Sequence, residues 1–139
     1  MKIGLISDTH GYMDDQILDH FQDVDEIWHA GDIGTMDVAE RLERLKPLKA
    51  VYGNVDGGAL RLTYPENQVF AIGDIKVWMT HIGGYPPRYN AKVKKQLSVI
   101  DPDIFICGHS HILKVMPDKG RRNMIYINPG AAGQQGFHK

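Results

Sequence analysis

Seven side chains of this 139-residue sequence are of types that hold divalent metal, and they arrive in a regular order. Asp8 and His10 alternate, Asp32 follows Gly31, Asn54 follows Gly53, His81 stands alone, and His109 and His111 alternate after Gly108. Carboxylate, imidazole and carboxamide ligands together suit Mn²⁺, Fe, Zn²⁺ or Ni²⁺ better than Ca²⁺, and Mn²⁺ is the first expectation. Two such ions about 3.5 to 4 Å apart need a shared ligand, and a carboxylate bridges where a neutral imidazole cannot. Asp32 is the candidate bridge. On an extended segment the D-x-H and H-x-H spacings send both side chains the same way, so each pair can serve one ion or two adjacent ions. Glycines 31, 53 and 108 let the backbone turn beside these groups. The chemistry implied is metal-assisted hydrolysis.

Such a set works only if the chain delivers it to one place. Residues 2–7 form a short apolar run that stops at Asp8, and residues 25–29 and 48–52 do the same before Asp32 and Asn54. Between them, residues 14–22 carry Ile17, Leu18 and Phe21 on one helical face, and residues 36–46 carry Val38, Leu42 and Leu45, with Pro47 ending the second helix. Asp37 with Arg41 and Glu40 with Arg44 stand four apart on its solvent side. The alternation of strand and helix predicts parallel strands. The pattern then changes. Residues 68–72 and 75–80 flank Gly73 and Asp74 as a tight hairpin, residues 91–100 read as a helix, and residues 103–107 as a strand running into Gly108. Residues 112–116 and 124–127 flank a turn at 118–120. Ligands of open α/β sheets collect beyond the carboxyl ends of the strands, and every strand of interest ends in a metal-capable group there. Each motif alone is common; five segments converging on one rim are what point to a metal site.

Composition narrows the function further. The chain fits one domain, 42% of its residues are apolar, and 16 basic residues stand against 17 acidic ones with no Lys/Arg run long enough to track a phosphate backbone. A nucleic-acid stripe is therefore not expected. One cysteine, Cys107, excludes an internal disulfide framework, and no apolar run reaches membrane-spanning length. With no leader-like start either, cytoplasmic residence is the expectation.

The ordered blocks D-x-H, G-D, G-N-x-D, H and G-H-x-H resemble those of the calcineurin-like metallophosphoesterase superfamily. The segments ISDTHG, HAGD, GHSH and NPG are most similar to its small bacterial and archaeal phosphodiesterase subgroup. The resemblance covers nearly the whole chain. It implies an α/β fold of two packed mixed β-sheets flanked by helices, an αββα sandwich forming a single domain over residues 1–139. It also implies that Asp8, His10 and His111 hold one ion, that Asp32 bridges, and that Asn54, His81 and His109 hold the other, with Asp32, Asn54 and His109 central to catalysis. A hydroxide bridging the two ions would attack phosphorus in line. Two divalent cations less two carboxylates and a hydroxide leave one positive charge, which favours a monoanionic diester, so a small-molecule phosphodiester is the expected substrate.

The sequence departs from the family pattern in three places. Val55 stands where the family block carries the histidine that protonates the leaving oxygen, and Ile82, Gly83 and Gly84 follow His81 without a second histidine. The chain also ends at Lys139 soon after Asn128, Pro129 and Gly130, where relatives continue into further strand. A missing C-terminal edge strand would expose a sheet edge able to pair with another copy as a homo-oligomer. Loss of the histidine at Val55 favours an alternative reading, a catalytically weak scaffold for protein interaction on the same fold. Among the other residues, Arg88 is a candidate contact to substrate phosphate. His29 is expected to support the site rather than react, Asp56 either orients Asn54 or a water or serves a turn, and Asn128 with Gly130 supports the site from behind. His20 and His138 are expected in solvent, and Cys107 is read as a buried strand residue.

Overall fold

The computed structural model describes residues 1–132. Its first sheet joins β1 (Ile3–Ile6), β2 (Glu26–His29) and β3 (Leu48–Ala50), all parallel, with α1 (Asp15–His20) and α2 (Met36–Leu45) as the crossovers. Ile6 lies opposite His29, and His29 opposite Ala50, so the three strands finish level and their following loops share one rim. The second sheet is mixed. Its strands β4 (Asn67–Ile72), β5 (Ile75–Thr80), β8 (Ile104–Ile106), β9 (Leu113–Asp118) and β10 (Met124–Pro129) take the order β4-β5-β8-β10-β9. Here β5 and β8 run parallel with Met79 opposite Ile106, which brings the segments after both strands to one end.

Three apolar layers hold the sandwich. Trp28, Ala30 and Val51 of the first sheet meet Val77, Met79 and Ile106 of the second between the sheets. On the outer faces Val38 and Leu42 of α2 pack over Ile6 and Ile27, while Val93 and Leu97 of α4 (Ala91–Ile100) pack over Trp78, Phe105 and Tyr126. Both longer helices start at a polar cap: Thr35 accepts from the Val38 amide and Asn90 from the Val93 amide. No helix among the described residues is long and apolar enough to cross a membrane.

The elements differ from expectation in places that have physical causes. The first helix stops at His20 and tightens into a 3₁₀ turn over Phe21–Asp23, which lays the Phe21 ring against Gly4, where a side chain would collide with it. Arg41 reaches Asp15 on the neighbouring helix, at 3.0 Å, in place of Asp37 on its own. The second hairpin runs later than expected and turns through a 3₁₀ segment, Lys119–Arg121, with Arg122 and Asn123 at φ of 55° and 59°. A short α3 (Gly58–Thr63) and a two-stranded ribbon, β6 (Gly84–Tyr85) with β7 (Arg88–Tyr89), carry no periodicity long enough to read. After β10 the chain crosses to the outer edge of β1, where the Ala132 amide donates to the Ser7 carbonyl at 3.0 Å.

Candidate metal centre

The rim gathers two groups of potential ligands: Asp8 with His10 and His111, and Asp32 with His81 and His109. Asn54 joins the second group, its Oδ1 lying 3.0 Å from His109 Nδ1. All seven residues expected from the sequence are thus brought together from both sheets.

The polar atoms at the centre crowd together with few partners. His81 Nδ1 lies 2.8 Å from the Ala30 carbonyl, which only accepts, so Nδ1 carries a proton and Nε2 is the nitrogen turned toward the carboxylates. That Nε2 sits 3.0 Å from Asp32 Oδ2 and 3.8 Å from Asp8 Oδ1, and neither His81 Nε2 nor Asp8 Oδ1 has a hydrogen-bond partner although both are buried. Asp8 Oδ1 also lies 3.2 Å from His111 Nε2 and 3.7 Å from His10 Nε2, and the latter two nitrogens are 3.2 Å apart. Buried polar atoms are almost always satisfied, so inward-facing lone pairs of this kind mark a place for cations, and the donor set is right for a borderline divalent ion. Asp32 Oδ2 is within 3.8 Å of an imidazole from each group, the position a shared ligand needs, and Asp8 Oδ1 meets the same condition.

The same crowding shifts the acid–base behaviour of the buried groups. Burial opposes the Asp32 charge, but the His81 imidazole 3.0 Å away and the Val55 amide outweigh it, holding its carboxyl below the ordinary range. Burial likewise opposes protonation of His81, and Asp32 and Asp8 overcome it, so the imidazole is held above its usual value.

A second layer fixes these groups. Ser7 Oγ donates to Asp8 Oδ2 at 2.6 Å, and the His109 amide donates to the same oxygen at 3.1 Å. His29 is wired as a neutral ring: Nδ1 accepts from the Gly31 amide, Nε2–H donates to Thr9 Oγ1, and Thr9 in turn donates to the Ile33 carbonyl. Complete burial, with His81 nearby, pushes its pKa down to about 3. Asp56 accepts from the amides of Ile33, Gly34 and Gly53 at 2.8 to 3.0 Å, stapling the Asp32 loop to the Asn54 loop and making no hydrogen bond to Asn54 itself. Asn128 donates to the Gly108 carbonyl and to Ser110 Oγ and accepts from the Gly130 amide, supporting the His109 loop from behind. Side chains at positions 53 and 108 would collide with Asp32 and with Ser7 and Asp8, which is why glycine stands beside both ligand loops.

One expectation about how ligands are delivered is corrected. The D-x-H and H-x-H pairs do not lie on extended backbone: Asp8, His10, Asp32, His109 and His111 all adopt left-handed conformations, with φ between 49° and 71°. Strands end at Ile6 and Ile106, before either pair begins. Alternating turns, with Thr9 directed back to His29 and Ile33, are what point both members of a pair inward. Left-handed backbone is uncommon for residues other than glycine, though less so for Asp and His; it costs on the order of 1–3 kcal/mol per residue and persists only where the surroundings enforce it.

Arg88 lies exposed on the β6–β7 ribbon, whereas a cavity of about 270 Å³ beside Asn54 and His81 is lined by Tyr52, Arg61 and Glu66. Arg61 went unnoticed in the sequence because it follows no ligand motif. It donates through Nε to the Asp56 carbonyl, and its guanidinium stacks 4.4 Å from the centre of the Tyr52 ring. His20 is exposed, Cys107 is fully buried with its thiol pushed up to about 12 by burial, and His138 lies outside the described residues.

Two carboxylate–imidazole groups at the carboxyl rim of a helix-flanked β-sandwich define a metallophosphoesterase. The chain belongs to the calcineurin-like phosphoesterase superfamily, whose domain matches residues 1–139. It is 32% identical over 139 residues to a probable metallophosphoesterase of Methanothermobacter thermautotrophicus, covering 94% of this chain and 77% of that protein. A phosphodiesterase of Methanocaldococcus jannaschii is 30% identical over 148 residues, covering 94% of this chain and 83% of its own length. Among solved structures, a novel archaeal phosphodiesterase superposes with a TM-score of 0.76 at 26% identity, covering 94% of this chain and 84% of that one. Vps29 of Entamoeba histolytica in complex with Zn²⁺ gives a TM-score of 0.76 at 23% identity, covering 95% and 75%, a likeness of fold.

Proposed function

We propose that the protein is a phosphodiesterase working with two divalent ions, Mn²⁺ foremost, held by Asp8, His10 and His111 on one side and Asn54, His81 and His109 on the other, with Asp32 shared. The observation that carries this reading is the pair of buried, partnerless atoms, Asp8 Oδ1 and His81 Nε2, aimed at the same small space as Asp32 Oδ2. Ions bound there would supply charge neutralisation for the phosphoryl oxygens and a water acidified to a nucleophile at neutral pH. The chain's own residues set the geometry. The Ala30 carbonyl fixes the His81 tautomer, Asn54 and His109 orient one another, and Asp56 keeps the Asp32 and Asn54 loops at a constant distance. Val55 places an apolar, half-exposed side chain at this rim and can transfer no proton, so esters with good leaving groups are the better substrates. Charge balance favours a diester over a monoester dianion.

The test is hydrolysis of bis(p-nitrophenyl) phosphate beside p-nitrophenyl phosphate after chelation and after Mn²⁺ is restored. Turnover of the diester that needs metal and disappears in Asp32→Asn is expected. Equal loss-free turnover with and without chelator, or a strong monoester preference, would contradict the reading. The absence of an imidazole at Val55 favours one alternative, an interaction scaffold that binds metal without turning over either ester.

A further inference from the structure

The cavity at Asn54 and His81 does not end at the rim. It shares Glu66, Thr80 and Ile82 with a larger cleft of about 660 Å³ between α4 and the β4–β5 face, so the two adjoin across a common wall. A cleft of that size lies within the range of about 300–1,000 Å³ typical of sites that bury an organic ligand. Its charge changes along its length. The inner end presents the Arg61 guanidinium, held flat on Tyr52 and against the Asp56 carbonyl. At the shared wall Glu66 pairs with Lys92 of the larger cleft at 3.3 Å. Of the residues that line the larger cleft alone, Trp78 and Val93 are apolar and Asn67 and Gln96 carry amides. The Asn67 oxygen is taken by Trp78 Nε1 at 3.1 Å, which leaves its amide donors open, and Gln96 makes no side-chain hydrogen bond among the described residues.

We propose that the two cavities act as one channel that receives one ester arm of the substrate, and that the arm is an uncharged, ring-bearing group of nucleoside size with hydrogen-bonding edges. The proposal rests on the phosphodiesterase reading. An anionic phosphoryl group suits the metal ligands and Arg61, and a neutral arm suits the larger cleft, whose one lysine is already paired with Glu66. A second phosphate would find no free cation there, and a purely hydrocarbon arm would bury the amides without partners, which costs about 1–3 kcal/mol per stranded group.

Two diesters sharing one chromogenic group test this: thymidine 5′-(p-nitrophenyl phosphate) and methyl p-nitrophenyl phosphate, with total hydrolysis followed chromatographically on the Mn²⁺-loaded protein. The thymidine ester is expected to have a kcat/KM at least tenfold above the methyl ester, and Gln96→Trp, which fills the cleft, to bring the ratio close to one. Equal values in the unaltered protein, or a ratio that Gln96→Trp leaves intact, would overturn the proposal. If neither diester is hydrolysed, the phosphodiesterase reading fails by itself, and the channel is judged by calorimetric titration with thymidine 5′-monophosphate. Saturable binding weakened at least tenfold by Gln96→Trp upholds the channel, and no binding overturns it.

Discussion

Asp8→Asn should make the metal-free protein more stable while removing its response to metal. Asp8 is completely buried; Oδ2 accepts from Ser7 and from the His109 amide, but Oδ1 faces three imidazole nitrogens at 3.2 to 3.8 Å and has no donor. A buried acceptor left unsatisfied costs about 1–3 kcal/mol, and a charged one lies at the upper end. In the variant the amide oxygen keeps the Ser7 and His109 bonds, while the amide nitrogen takes the Oδ1 position and donates to His111 Nε2, the nearest lone pair. The expected gain without metal is about 2 kcal/mol, which for a domain of this size raises Tm by roughly 6 °C. With metal the order reverses. A ligand at a hundred times its Kd stabilises the native state by about 2.7 kcal/mol, and the variant, lacking one carboxylate of the site, should forfeit most of that. Scanning calorimetry at pH 8, with chelator and then with Mn²⁺, reads both effects. A metal-free Asp8→Asn protein that melts below the unaltered one, or gains as much from Mn²⁺, would refute the reasoning.

Stability of the metal-free protein should peak near pH 6.5. His29, with a folded pKa of about 3 against 6.5 unfolded, contributes stability that is complete above pH 6.5 and is lost below it, by about 2 kcal/mol at pH 5. His81, raised in the folded state, contributes stability that is complete below the unfolded value and is lost as pH rises through the folded one. Urea titrations from pH 5 to 9 check both flanks; a flat profile would contradict them. Asp56→Ala, which strands three loop amides, should lose about 3–5 kcal/mol, read as a lower urea midpoint at unchanged slope. Val55→His should raise turnover of alkyl diesters by at least tenfold more than that of bis(p-nitrophenyl) phosphate, because only a poor leaving group needs the added acid; equal gains would count against it.

The strand ends and the convergence of the candidate ligands were legible because both rest on strong local signals. Apolar runs that stop at Asp8, Asp32, Asn54, His81 and His109 show where strands end, and parallel register carries the loops to one rim. The backbone that delivers the ligands was not legible, since nothing in the letters D-T-H or H-S-H distinguishes an extended pair from two left-handed turns. That outcome depends on contacts far apart in the chain, such as Thr9 with His29 and Asp8 with the His109 amide. Asp56 was ambiguous for the same reason: its three amide partners lie on two loops that come together only in the folded protein. Arg61 sits on a six-residue helix that buries only Leu60, too short to leave a periodic trace.

The central claim is that two cations share this rim. Crystals grown with Mn²⁺ and measured on both sides of the manganese absorption edge test it most directly. Two anomalous peaks are predicted, one among Asp8, His10 and His111 and one among Asn54, His81 and His109, with Asp32 touching both. A single peak, or none with the imidazoles turned away from the carboxylates, would contradict the account.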